Sequence, residues 1–462
     1  MNNLKPRVVL SLFFISGYTA LVFEVVWGKQ ACLIFGSSTM AFAAVIAAYM
    51  TGLAIGSYLF GKIADKNPNA SFFLYGVLEG GIGLFAIGFP LFLYFLTPVY
   101  KSIYLAYFEH FLRISVIRFG LSFLVLMIPT TLMGGTLPLL SRFLSKSPES
   151  MKENISKLYA MNLFGAMAGS FCSGFFLIGG LGLYLSSVSA AVLNLGIFLC
   201  VMFYRKRFEE AAYRTPDIKG PLQPELSEES GDLLTKKIVA LVIGLMAIHG
   251  FNAFVIQICW TRTVALVLGA SAYSFSAMLT TFLAGLGLGT WAVAGIAKKK
   301  IKLSLSDIGL MEIAVGASVL VFIPVFEWLI YFFVRIFPFI ESSIFLVFTT
   351  QFVFCVIAMV VPTFLMGLIF PSALYYLGRP KDIGRIVGTT YAVNTLGGVL
   401  GCFLAAFYFV GHFGLNGSMR FIGALSMLAG FVVVALSSNK AKLWLNLGKS
   451  LIMNSSTEER QI

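Results

Sequence analysis

Charged residues are scarce in this sequence. Only 11% of its 462 residues are Asp, Glu, Lys or Arg, whereas a water-soluble globular domain carries about 25%. Hydrophobic residues make up 58%, and the mean hydropathy is +0.90. So few polar side chains could not cover a soluble surface. The composition therefore excludes soluble enzymes, secreted disulfide-rich proteins and nucleic-acid-binding proteins, and it indicates a polytopic membrane protein.

Motifs for metal binding and nucleophilic chemistry are also missing. The six cysteines stand singly in apolar stretches without any C-x-x-C spacing, and the three histidines are scattered. We therefore predict no metal site and no cofactor, and we interpret the cysteines as small packing residues. The G-x-G-like run at residues 285–289 lies inside an apolar segment, where close helix packing is a better interpretation than phosphate binding.

Long apolar runs are the main feature that the sequence does contain. A helix needs about 20 apolar residues to cross a bilayer. The runs therefore predict an all-α polytopic membrane protein with about twelve transmembrane helices. The predicted spans are 8–28, 39–61, 72–97, 119–141, 158–181, 184–204, 238–259, 272–297, 304–334, 344–377, 386–410 and 419–437.

The distribution of basic residues predicts the orientation of these spans. With both termini in the cytoplasm, 26 of the 33 Lys and Arg residues fall in cytoplasmic segments. Lys and Arg are retained on the cytoplasmic side during insertion. We therefore predict a multi-pass protein of the cell (inner) membrane with cytoplasmic N- and C-termini. Much of the net charge of +13 follows from this topology, so no nucleic-acid partner is expected.

A break in the hydrophobic pattern divides the chain into two parts of similar size. Residues 205–237 contain seven basic residues, seven acidic residues and three prolines, a composition typical of a flexible cytoplasmic linker. The predicted organisation is an N-terminal six-helix repeat at 1–204, this linker, a C-terminal six-helix repeat at 238–437 and a cytoplasmic tail at 438–462.

An internal repeat relates the two halves. Shifts of 233 or 232 positions superpose Gly52 on Gly285, Glu79 on Glu312, and Asn162 on Asn394. Each half holds an even number of predicted spans, so both halves enter the membrane from the same side and the repeat is parallel. Two parallel six-helix repeats are the architecture of major facilitator transporters.

Several motifs carry a more specific resemblance. They lie at 20–27, 35–38, 50–57, 131–138 and 394–398, and a loop motif, GKIADK, lies at 61–66. Together they resemble the membrane portion of the fused major-facilitator/spermidine-synthase-like proteins, from about residue 10 to residue 435. The resemblance implies a major-facilitator-like fold and, in many such proteins, a soluble aminopropyltransferase domain. Because the sequence has no nucleotide loop outside its apolar spans, we expect the chain not to be an enzyme.

Acidic residues inside the predicted spans are candidates for function. An acid at a helix centre costs about 2.5 to 3.5 kcal/mol even on lenient insertion scales. Glu24 aligns with Gln257 in the repeat, and such asymmetry suits a single central binding site. Glu79 and Glu312 are repeated, which suits either proton coupling or hydrogen-bonded helix pairing.

Aromatic and amide side chains extend this candidate site. Trp27 follows Glu24 by three residues, and Trp260 is its counterpart in the second half. The two indoles could hold an organic cation by cation–π contacts, or they could anchor the outer membrane interface. Asn162 and Asn394 are expected to pair helices by hydrogen bonds or to take part in gating.

These features predict a secondary transporter that moves a small solute by alternating access between two six-helix halves. The predicted substrate is an organic cation such as a polyamine, and the predicted substrate-binding residues are Glu24, Trp27, Gln257 and Trp260. Lys29 and Arg262 at the outer mouth would favour an anion unless their side chains snorkel to the interface. The alternative is a non-catalytic membrane partner or anchor for a separately encoded spermidine-synthase-like aminopropyltransferase. The expected partners are thus the lipid bilayer, a small-molecule substrate and, in the alternative, that enzyme.

Overall fold

The computed structural model is built of helices throughout the residues that it describes, which are 4–36, 39–107, 109–145, 148–213, 232–269, 271–378 and 382–437. These residues form twelve long helices and no strand. The helices are α1 Leu4–Phe35, α2 Thr39–Lys66, α3 Ser71–Tyr107, α4 Phe111–Leu144, α5 Pro148–Cys172, α6 Ile178–Tyr213, α7 Asp232–Leu268, α8 Ala272–Lys298, α9 Leu305–Ile340, α10 Ile344–Leu377, α11 Ile383–Leu404 and α12 Val410–Ser437. The predicted all-α membrane architecture is therefore confirmed.

Two of the helix connections are kinks rather than loops. α5 passes into a π-helical segment, Ser173–Leu177, before α6 begins, and α11 passes into Ala405–Phe409 before α12 begins. Gly182 (φ 73°) and Gly414 (φ 66°) then leave the helical conformation, in the left-handed region that glycine adopts without steric cost. Both segments and both glycines lie 232 positions apart, so the sequence repeat extends to these irregular backbone features.

The contacts between helices repeat after every six helices. In the first half α1 packs on α5, α2 on α4 and α3 on α6, and in the second half α7 packs on α11, α8 on α10 and α9 on α12. The halves meet where α2 contacts α11 and where α5 contacts α8. Superposing one half on the other maps the α2–α11 interface onto the α8–α5 interface, as a parallel two-fold repeat requires.

Glycines let the paired helices approach backbone to backbone. A Cβ atom added at Gly56 of α2 would overlap the carbonyl group of Thr131 in α4. One added at the repeated position, Gly289 of α8, would overlap the carbonyl oxygen of Phe364 in α10. Small residues allow such contacts in lipid, where no hydrophobic effect drives helices together. The predicted packing role of the repeated glycines is confirmed.

The interface between α2 and α11 is closed by hydrogen bonds at one end of the bundle. Asp65 accepts hydrogen bonds from the backbone N–H groups of Gly384 (2.9 Å) and Arg385 (2.7 Å) at the start of α11. The guanidinium of Arg142, near the end of α4, lies 3.7 Å from the same carboxylate. A carboxylate at a helix start is stabilised by the exposed amides and the helix dipole. Asp65 thus ties the two halves together.

At the opposite end, an aromatic pair joins the two halves. Phe42, near the start of α2, contacts Phe275, near the start of α8, edge to face with ring centroids 5.4 Å apart. These phenylalanines superpose in the repeat, so they meet across the axis that relates the halves. The two halves are therefore in contact at both ends of the bundle.

The predicted linker and tail lie largely outside the described residues. α6 continues to Tyr213 and α7 begins at Asp232, so helices extend into both ends of the predicted linker at 205–237. Residues 214–231 and the predicted tail at 438–462 are not described. The domain boundaries stay a prediction.

Candidate functional site

A cavity lies between the two halves, near the middle of the helices. Its volume is about 210 Å³, and it is lined by residues of α1 to α8, α10 and α11. Most of the lining is apolar, and a small set of polar side chains projects from both halves. Because both halves form its walls, a relative movement of the halves would open the cavity to one side of the membrane or the other.

Glu24 of α1 lines this cavity and accepts no hydrogen bond from the residues that the structure describes. Its side chain is buried, with 8% of its surface exposed. Tyr49 of α2 lines the same region, and its hydroxyl donates to the carbonyl of Ala20 (3.1 Å), one helical turn before Glu24. A buried carboxylate without a donor requires a proton or a cation for compensation. Glu24 therefore has the properties of a binding group.

Glu79 of α3 also lines the cavity, but its carboxylate is fully bonded. Oε1 accepts a hydrogen bond from Ser16 Oγ (2.5 Å) on α1, and Oε2 accepts one from Asn194 Nδ2 (2.9 Å) on α6. The side chain is completely buried. Three helices of the first half thus meet at this carboxylate.

Glu312 of α9 occupies the equivalent position in the second half and does not line the cavity. Its Oε2 lies 2.9 Å from Nδ1 of His249 on α7. His249 lines the cavity, so it separates the acid from the cavity space. The repeated acids therefore have different partners and different access to the cavity.

The amide residues proposed from the sequence all line the cavity. Gln257, Asn162 and Asn394 are among its walls. Asn162 Nδ2 donates to the carbonyl of Phe13 on α1 (3.4 Å). Oδ1 of Asn394 is buried and has no hydrogen-bond partner among the described residues. These amides leave polar groups available at the cavity.

The two predicted tryptophans are placed elsewhere. Trp27 is 1% exposed and stacks between Phe23 (centroids 4.7 Å apart) and Phe89 (4.6 Å), while its indole N–H donates to Ser187 Oγ (3.2 Å). Trp260 is 2% exposed. Neither lines the cavity, and neither is an exposed anchor, because helix neighbours cover both rings. In this structure both indoles therefore pack between helices and lie outside the cavity lining.

Carboxyl groups outnumber basic side chains in the cavity lining. Glu24 and Glu79 contribute carboxylates, and no lysine or arginine that the structure describes is part of the lining. In particular, Lys29 and Arg262 stay outside it. The basic outer residues that argued for an anionic substrate do not contact the cavity.

Sequence reasoning missed Tyr49 and Asn194 as site residues and gave His249 no place among them. Tyr49 and Asn194 lie in apolar runs without a local signal. His249 does have a signal in the sequence, because it aligns with Ser16 in the repeat. Ser16 lies 63 residues before Glu79, and His249 lies 63 residues before Glu312. A comparison of partners between the repeats would have identified it.

Comparisons with known proteins support the fold. No family model matches the chain. A segment of 193 residues is 24% identical to polyamine aminopropyltransferase 2 of Aquifex aeolicus (strain VF5), a match that covers 42% of this chain and 35% of that protein. The chain thus matches about a third of the length of this relative.

Solved transporter structures match nearly the whole chain. They are the E. coli fucose:proton symporter FucP (TM-score 0.54, 12% identity, 95% of this chain and 99% of that one), the human organic anion transporter MFSD10, or TETRAN (0.53, 13%, 93% and 99%), and the proton:xylose symporter XylE (0.52, 13%, 93% and 96%). The chain therefore has the major facilitator fold and is a multi-pass membrane protein. The partial match to an aminopropyltransferase agrees with the membrane portion of a fused major-facilitator/spermidine-synthase-like protein.

Proposed function

We propose that the protein is a secondary transporter of a small organic cation, with diamines and polyamines as the leading class. The observation that carries this proposal is the composition of the central cavity: it contains Glu24 without a hydrogen-bond donor and has no described lysine or arginine in its walls. The fold is that of transporters that alternate between inward and outward access.

In this proposal Glu24 is the principal binding group. An ammonium group of the substrate pairs with its carboxylate, and Gln257 and Tyr49 offer polar atoms beside the alkyl chain. The apolar remainder of the lining accommodates methylene groups. Glu79 is held by two donors and therefore pairs helices within the first half instead of binding substrate.

Transport follows from alternate release of the two contacts between the halves. We place the Asp65 contact at the cytoplasmic face and the Phe42–Phe275 contact at the outer face, in keeping with the distribution of basic residues. This orientation puts both termini in the cytoplasm. The membrane in this proposal is the inner membrane of the cell. Reporter fusions at the two termini test it, since an outward-facing terminus would reverse the assignment of both contacts.

The test of the substrate class is uptake by the purified protein in proteoliposomes. Labelled putrescine and spermidine should accumulate, and a labelled organic anion should not. Glu24→Gln copies the residue at the repeated position, so its shape is compatible with the fold. Because a hydrogen bond to a charged group contributes about 1.5 to 3 kcal/mol, we expect uptake at low substrate concentration to fall at least about tenfold.

Glu327→Gln is the matched control for this experiment. Glu327 is an exposed acid of α9 that is hydrogen-bonded to Asn416 (2.5 Å) and lies outside the cavity lining. Normal transport by Glu24→Gln, or equal losses in both variants, would show that Glu24 does not bind the substrate. Anion uptake would contradict the cationic class itself.

A second candidate function is supported by the partial match to an aminopropyltransferase. The chain would then be a non-catalytic membrane partner of a separately encoded enzyme. We expect the 462 residues themselves not to form spermidine from putrescine and decarboxylated S-adenosylmethionine. Product formation by the purified chain would show that it is an enzyme. Absence of transport, together with retention of a separate aminopropyltransferase on vesicles that contain the chain, would favour the partner role.

A further inference from the structure

Glu312 is a buried acid that the proposed binding site does not use. Its side chain is completely buried, and Oε1 has no hydrogen-bond partner among the described residues. Its other oxygen, Oε2, faces Nδ1 of His249 at 2.9 Å. The position therefore combines a carboxylate and an imidazole, two groups that can share a proton, with a route to the cavity through the ring of His249.

The equivalent acid of the first half has a hydroxyl and an amide as its donors, and no histidine is among them. Glu79 receives one hydrogen bond on each oxygen, from the hydroxyl of Ser16 and from the amide of Asn194. In the second half, His249 takes the place of Ser16. The residue that aligns with Asn194 is Ser426, whose hydroxyl accepts a hydrogen bond from a different side chain (2.7 Å). The repeat has thus kept the acid and replaced both of its fixed donors.

From this difference we propose that His249 and Glu312 form the proton-carrying site of the transporter, separate from the substrate carboxylate Glu24. The inference rests on the proposed transport function and deepens it by naming the coupling ion and the residues that hold it. His249 exchanges the proton with the cavity, and Glu312 is the buried counter-charge that keeps the proton on the pair.

The two nitrogen atoms of His249 have different roles in this site. Nδ1 is directed at Glu312, so Nε2 is the nitrogen left to exchange with the cavity, and Nε2 makes no hydrogen bond among the described residues. In the loaded state, imidazolium and carboxylate form a neutral pair. When the proton leaves from Nε2 to a cavity water, Nδ1–H still donates to Glu312 and the pair carries one negative charge.

An uncompensated negative charge is unfavourable at this depth in the membrane. A cation that enters the cavity beside His249 compensates it, and departure of the cation favours return of the proton. Loading of the proton on this pair and binding of the cation at Glu24 therefore disfavour each other, although the two charges lie on different side chains. This coupling gives exchange of one for the other across the membrane.

Other ionisable groups lie on the helices that pack around this pair. No described lysine or arginine lines the cavity, so no fixed positive charge replaces the proton there. Glu327 of α9 and Arg420 of α12 line a separate surface groove, and Glu327 is about 22 Å along α9 from Glu312 at 1.5 Å per residue. The remaining titratable groups of the cavity lining are Glu24, Tyr49, Glu79, Tyr159 and Tyr391.

Histidine-selective ¹⁵N labelling of the full chain in lipid vesicles tests the proposal without a substrate. The chain has three histidines, so magnetic resonance gives signals from three imidazole rings with two nitrogens each, and the signals lost in His249→Ser identify His249. This variant copies Ser16 of the first half. The pH dependence of these signals, followed between about pH 5 and pH 8, reports the protonation of the His249 ring. Because Glu312→Gln removes the carboxylate that faces Nδ1, this pH dependence should change in the variant.

Glu79→Gln is the matched control, because it removes the repeated acid that does not contact a histidine. It should leave the His249 titration in place. If Glu312→Gln does not fold, Glu312→Asp keeps the charge with a shorter side chain and should displace the titration in the same experiment. A His249 signal that stays constant over this pH range, or that titrates identically in wild type and in the Glu312 variants, would overturn the proton site.

Failure of this inference is distinguishable from failure of the proposed function. Glu24→Gln should lose putrescine uptake and keep the His249 titration. If the pH dependence of His249 is as expected but no amine is transported, the proton site is supported and the proposed cationic substrate is wrong. If putrescine transport depends on Glu24 but does not respond to a pH gradient in wild type, the cationic substrate is supported and the proton site is wrong.

Discussion

Two glutamates line the same cavity, and their hydrogen bonds separate their roles. Glu79 has a donor on each oxygen, whereas Glu24 has none among the described residues. We therefore expect Ser16→Ala to weaken folding by about 1 to 3 kcal/mol, because it leaves a buried oxygen without its donor. Chemical unfolding in detergent micelles measures this change. Loss of amine transport at unchanged stability would instead place Glu79 in the substrate site.

Trp27 illustrates a side chain whose neighbours could not be derived from its position in the sequence. Its ring fills the space between Phe23 and Phe89 and bonds to Ser187. Trp27→Phe should therefore lower the unfolding free energy by roughly 1 to 3 kcal/mol, through a lost hydrogen bond and a smaller ring. Amine affinity should stay within about twofold of wild type, a small change beside the tenfold expected for a lost charge contact. If Trp27→Phe instead binds amines much more weakly while its unfolding free energy equals that of wild type, the cation–π interpretation is correct.

At the scale of the helix, close packing depends on positions where only glycine fits. Gly56 lies against the carbonyl of Thr131, but a Cβ at Gly120 of α4 would meet no atom within 4 Å. We therefore expect opposite results from the same substitution at these positions. Gly56→Ala should destabilise the protein by about 1 to 3 kcal/mol through overpacking. Gly120→Ala should be neutral or stabilising by up to about 1 kcal/mol, because alanine favours helices. Equal effects on thermal unfolding would contradict this packing account.

The helices and their parallel repeat could be predicted because each signal is strong and local. Apolar length defines a span, and residues such as Glu79 and Glu312 fix the register between the halves. The side chains that meet could not be predicted, since a helix position gives depth along the bundle but not the neighbouring helix. Trp27, for example, is covered by Phe23 and Phe89 and lies outside the cavity lining. The π-helical segments, Ser173–Leu177 and Ala405–Phe409, have no sequence signal beyond their place in the repeat.

On the scale of the whole molecule, the two halves are held together at both ends and enclose the cavity between them. Phe42 and Phe275 meet at one end, and Asp65 reaches the start of α11 at the other. Alternating access requires that each contact can open while the other stays closed. The two contacts differ in kind, because one is apolar and the other is a charge at a helix start. Substitutions can therefore open the Asp65 end selectively.

Asp65→Ala should shift the population of the transporter toward the state that is open at the Asp65 end. The substitution removes two hydrogen bonds and the charge contact with Arg142 across that interface. Hydrogen bonds to a charged group contribute about 1.5 to 3 kcal/mol, and this amount changes a two-state population by roughly tenfold to a hundredfold. A cysteine introduced at Ser57, whose hydroxyl contacts the Gly388 carbonyl across the same interface (3.1 Å), reports the opening as faster thiol labelling.

Asp307→Ala is the matched control for this last prediction. Asp307 is also an acid at a helix start, where its carboxylate accepts a hydrogen bond from the backbone N–H of Ser304 (2.7 Å). That capping interaction lies within the second half and does not join it to the first. Its loss should therefore reduce stability by about 1 kcal/mol without changing the labelling rate at position 57. If both variants accelerate labelling equally, the cause is general loosening of the fold, and Asp65 does not hold the two halves closed.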